Sequence, residues 1–82
     1  MNIAKTAPQV ASLRDLLAFE IQLERGALRR AQRHEFRANA GISDNPAAAR
    51  KVAAGYQRDA QEARQAQARL RAKLADVTGA SA

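Results

Sequence analysis

Ala40-Gly41-Ile42-Ser43-Asp44-Asn45-Pro46 joins a helix stop to a helix start. Gly41 can take the left-handed conformation that closes a helix. Asn45 is a good N-cap, and Pro46 suits the first helical position, where its missing N–H costs nothing. Ser43 and Asp44 offer alternative caps. A connection of residues 41–45 between two long segments predicts an antiparallel helical hairpin.

Upstream, no proline occurs between Gln9 and Ala40, and the glycine at Gly26 is isolated. Val10, Leu13, Leu17, Ile21 and Leu28 recur at helical spacing, with Leu16 and Leu23 on the flank. This predicts a first helix over 9–40. Residues 1–8 lack a periodic pattern and end in Pro8, so they read as a flexible lead-in. Downstream, Ala, Arg and Gln favour a second helix over 46–77. Its inward positions are read as Val52, Tyr56, Asp59, Ala63, Ala66, Leu70, Leu74 and Val77, a coiled-coil spacing. Residues 79–82 read as a frayed tail. The expected domain is thus an all-α, coiled-coil-like hairpin over 9–78.

Folding the chain about Ser43 sets Leu16 near Leu70, Leu13 near Leu74, and Tyr56 near Arg30 and Ala31. The open end is then the apolar end. Helix 1 offers more apolar surface than one helix can cover, counting Leu16, Leu17, Ile21, Leu23 and Leu28, with Phe19 outside the arc. Each such side chain contributes roughly 1.5–3 kcal/mol when fully buried. An uncovered set marks an interaction surface. The expected interface is therefore Val10, Leu13, Leu16, Leu17, Phe19, Ile21, Leu23, Leu28, Leu70 and Leu74. Its expected occupant is another protein, or a second copy completing a four-helix bundle. The blander reading is an isolated hairpin with ordinary exposed leucines.

Glu20 and Glu24 sit within the apolar arc of helix 1, one turn apart, and Asp59 is expected on the inner face of helix 2. Buried carboxylates are costly unless paired, and Arg64 stands near their level. Such residues can specify register or partner. A metal site is not expected, since the Glu-x-x-His pairs of di-metal bundles are missing. No cysteine is present and His34 is the only histidine, which removes most ligand sets. No nucleophile–histidine–acid set or glycine-rich phosphate loop is present. The expectation is a non-enzymatic protein with no cofactor and no small-molecule substrate.

The net charge is +6, from 14 Lys and Arg against 8 Asp and Glu. Arg25, Arg29, Arg33 and Arg37 are spaced one turn apart, with Arg30 beside them, and Arg50 and Lys51 lie across the turn. This ridge suits phosphate or carboxylate, so nucleic acid is a possible partner. A solvated helix face in an Arg-rich chain is the plainer account. Ala and Arg abundance fits a GC-rich genome, bacterial or phage. No run approaches the ~20 apolar residues of a membrane span, and the N-terminus has no signal core, so a cytoplasmic location is expected.

Phe36-Arg37, Gly41, Asn45-Pro46 and Arg50-x-Val52 together resemble the turn region of a family of basic helical-hairpin proteins of the large ribosomal subunit. The resemblance covers under a third of the chain and consists mostly of cap chemistry. It implies RNA binding. Helix 1 here is longer and more apolar than that family would imply.

Overall fold

The computed structural model describes residues 3–79. They form two helices, α1 (Ile3–Asn39) and α2 (Pro46–Thr78), packed against each other as an all-α hairpin. It is an elongated rod, with Cα extents of 60 × 19 × 13 Å.

The turn follows from its residue types. Gly41 has φ 71°, a conformation that costs glycine nothing. The N–H groups of Gly41 and Ile42 reach back to the carbonyls of Ala38 and Arg37 at 3.4 and 3.0 Å. That pair of bonds satisfies the last carbonyls of α1, as in a Schellman closure. Ser43 Oγ accepts from the Asn45 N–H at 3.2 Å, and Asn45 Oδ1 accepts from the Ala48 N–H at 3.1 Å. Pro46 opens α2. Across the turn, Arg50 donates to Asn39 Oδ1 at 3.4 Å.

Both helices differ from expectation at their outer ends. α1 begins at Ile3, so most of the expected lead-in is helical and Pro8 lies inside the helix. A proline there removes one backbone hydrogen bond but leaves the remaining ladder in place. Residues 1–2 lie outside the described residues. α2 runs to Thr78 and is closed by Gly79 at φ 75°, whose N–H reaches the carbonyls of Ala75 and Asp76. Gly79 is therefore a cap rather than part of a frayed tail, while 80–82 lie outside the described residues.

The seam is made of alanine. Ala27, Ala31 and Ala38 of α1 and Ala49, Ala53, Ala60 and Ala63 of α2 are buried, joined by Gln67. The α2 positions 49, 53, 56, 60, 63, 67, 70 and 74 alternate by four and three, the period of a coiled-coil seam. This corrects the expected register of α2 near the turn. Val52 and Asp59, read as inward, are exposed. The methyl groups of Ala49, Ala53 and Ala60 take the inner face because they let the backbones approach closely. They contribute little area in return, about 0.8 kcal/mol per buried carbon. Among the described residues, no large side chain is fully buried.

Candidate interaction site

The seam divides the hairpin surface into two flanks. One is closed by polar bonds between the helices. Glu24 of α1 accepts from Arg64 Nη2 at 2.9 Å and from Arg64 Nε at 3.1 Å through one oxygen. Its other oxygen accepts from Gln67 Nε2 at 2.7 Å, and Gln67 also reaches the Glu20 carbonyl at 3.3 Å. The side chain of Glu24 is only 17% exposed, whereas that of Arg64 is 65% exposed. The Gln67 hydrogen bond and then the Arg64 bond hold the Glu24 carboxyl below its ordinary pKa. Further along the same flank, Gln57 donates to Glu35. Glu24 and Glu35 are three helical turns apart and so share a side, as do Gln57 and Arg64, seven residues apart.

The opposite flank is open. Leu16, Phe19 and Leu23 follow one another at three- and four-residue spacing and are 53%, 59% and 45% exposed. Gly26 and Arg30 continue that row along α1. On α2 the facing row is Val52, Gly55, Asp59, Glu62 and Ala66. Between the rows runs a groove floored by Ala27 and Ala63 and edged by Leu23, Arg30, Asp59 and Glu62. The Arg30 guanidinium lies 5.9 Å from the centre of the Tyr56 ring, which stacks on His34 at 5.7 Å. Neither Asp59 nor Glu62 has an ion-pair partner among the described residues.

The sequence-derived interface thus splits in two. Leu16, Phe19 and Leu23 stand out on the open flank, while Val10, Leu13, Leu17, Ile21, Leu28, Leu70 and Leu74 are half-buried. Of the three expected seam carboxylates, Glu20 and Glu24 are half-buried beside Gln67. Asp59 is not in the seam; helical spacing carries it outward onto the groove edge. Gln67, at 4% exposure, was not singled out from the sequence. Its signal was there, seven residues after Ala60 and four after Ala63, but a glutamine on an alanine-rich helix reads as surface.

The basic residues form a separate surface. Arg25, Arg29, Arg33 and Arg37 are exposed along the outer side of α1; Arg50 and Lys51 are exposed on α2, and Arg30 is exposed at the groove edge. At the turn end, Phe36 and Ile42 are 65% and 63% exposed, and a second groove is lined by His34, Arg37, Ile42 and Val52. Among the described residues, no group of three or more His, Cys, Asp or Glu is placed to hold a metal ion. None of their helices is long and apolar enough to cross a membrane.

No family model, curated protein or solved structure matches this chain.

Proposed function

We propose that this protein is a small, non-enzymatic interaction module that docks on protein through the open flank, with the arginine ridge as a second, electrostatic surface. The observation that carries the reading is the row Leu16, Phe19 and Leu23, each about half exposed beside an alanine-floored groove. A row of large apolar side chains at one side of a helix is what helix-in-groove recognition uses. The alanine seam leaves these side chains no place within the hairpin. An adaptor, an accessory subunit or an inhibitor would present such a surface.

A photo-crosslinking residue placed at Leu23 in the native cell tests this. Protein adducts at Leu23 that survive nuclease, with none at the exposed control position Gln61, are the expected outcome. Equal labelling at both positions, or no protein adduct at Leu23, overturns the reading.

The second reading is binding to a nucleic-acid backbone, favoured by the unbroken exposure of Arg25, Arg29, Arg33 and Arg37. It predicts affinity that falls steeply with salt. Arg29→Glu, Arg33→Glu and Arg37→Glu together would abolish it and leave adducts at Leu23 unchanged.

A further inference from the structure

The exposed surface of the hairpin is 6108 Å². A compact monomer of this mass exposes about 4,800 Å². The excess is roughly 1,300 Å², and a stable interface covers about 800 Å² on each partner. The radius of gyration is 18.1 Å, against about 12 Å for a compact chain of this length. The hairpin therefore has surface to cover on the scale of a whole interface.

The charges of the open flank say what covers it. Cross-helix contacts give the levels: Leu23 and Ala66 edge the same groove, and Arg30 lies over Tyr56, one turn from Asp59. Along α1 the row runs from apolar (Leu16, Phe19, Leu23) to basic (Arg30). Along α2, at matching levels, it runs from Leu70 and Ala66 to the acids Glu62 and Asp59. The row of α1 is thus complementary, level for level, to the row of α2. Within one chain the seam lies between these rows and turns both outward.

We infer that the occupant of the open flank is a second copy of this chain. The two hairpins lie face to face with both turns at the same end, so each α1 packs on the copy's α2. Leu16, Phe19 and Leu23 then cover the copy's Ala66 and Leu70, and Arg30 meets the copy's Asp59 and Glu62. A two-fold axis along the rods makes both contacts twice and yields a four-helix bundle. Turning one hairpin end for end would instead set each α1 on the copy's α1, so Arg30 would no longer face the copy's Asp59 and Glu62; the parallel arrangement keeps that match. The inference rests on the docking reading of the open flank and names its partner.

The chain's lack of cysteine allows a direct test. Leu23→Cys and Ala66→Cys are made in separate full-length chains, mixed and oxidised. The parallel bundle predicts a disulfide-linked pair from the mixture, while a mixture of Leu23→Cys with Lys73→Cys links poorly. In sedimentation equilibrium the unmodified chain should be a dimer. Arg30→Glu should weaken that dimer about tenfold or more. Combining Arg30→Glu with Asp59→Arg and Glu62→Arg should restore it. Circular dichroism checks that each variant keeps its helices, and Phe19→Gln provides a second, uncharged disruption.

A monomer at high concentration overturns the inference. So does a dimer that resists Arg30→Glu and Phe19→Gln, or one that links preferentially through the Lys73 variant. Crosslinks at Leu23 to a different protein, with the chain itself monomeric, overturn self-association and leave the docking reading standing. Absence of both sinks the two together.

Discussion

The two flanks of the hairpin start from the same alanine seam and end differently. On one, Glu24, Arg64 and Gln67 form a bonded cluster and Gln57 reaches Glu35, so long polar side chains roof the seam. On the other, Leu16, Phe19 and Leu23 stand beside a bare groove. The roofed flank resolves its carboxylates internally. The open flank leaves Asp59 and Glu62 without ion pairs among the described residues. A chain optimised only to be a hairpin would have no reason for this asymmetry. The difference teaches that the bonds holding the hairpin lie on one side of the two helices and the exposed apolar row on the other.

The largest expected effect lies in the seam that both flanks share. Ala53 is 1% exposed and Ala31 is 2% exposed. Ala53→Leu forces extra carbon atoms into a closely approached pair of helices and should destabilise the hairpin by about 1–3 kcal/mol. Ala66→Leu, on the open flank and only half-buried, should change the stability of the dilute chain by less than about 0.5 kcal/mol. Urea unfolding at low protein concentration compares them. Equal losses would mean that the two positions are not in different environments.

Next comes the roofed flank. Gln67→Ala removes the amide that serves both Glu24 and the Glu20 carbonyl. It should cost about 1–3 kcal/mol, visible as a lower urea midpoint. The same cluster sets a pH dependence. Glu24's pKa is lowered in the folded state. Its contribution is therefore complete above the ordinary glutamate value of about 4.3 and is lost as pH falls through the lowered value. Urea midpoints measured downward from pH 5 should fall less steeply in Glu24→Gln than in the unmodified chain. Parallel slopes would remove Glu24 as the source.

The sequence made the turn legible because Gly41, Asn45 and Pro46 each carry a local backbone preference that tertiary packing does not override. The hairpin topology follows from that short connection. The apolar excess of α1 was legible too, since Leu16, Phe19 and Leu23 outnumber the positions one neighbouring helix can cover. The phase of α2 near the turn was not. Hydropathy places Val52 inward because alanine is only weakly apolar, but close backbone approach selects Ala49, Ala53 and Ala60 beside Tyr56 instead. Asp59 follows Val52 outward for the same reason. The start of α1 was missed because Pro8 reads as a boundary, although a proline near the beginning of a long helix removes one bond and leaves the rest.

The smallest expected effect separates the flanks most cleanly. Gly26 and Gly55 both lie in the open-flank rows. A Cβ at Gly26 would approach only the tip of Arg30, at 3.4 Å, and one at Gly55 only the tip of Arg58, at 4.0 Å. The hairpin has no steric need for either glycine, yet each costs about 0.5–1 kcal/mol against alanine in a helix interior. In dilute solution Gly26→Ala and Gly55→Ala should therefore each stabilise the hairpin by that amount. If a helix of a second copy passes over the open flank, the added methyl groups stand in its path. The same variants should then associate more weakly than the unmodified chain in sedimentation equilibrium. A gain in stability with no loss of association would confine the partner's contact to the apolar row and count against the contact of Arg30 with the copy's Asp59 and Glu62.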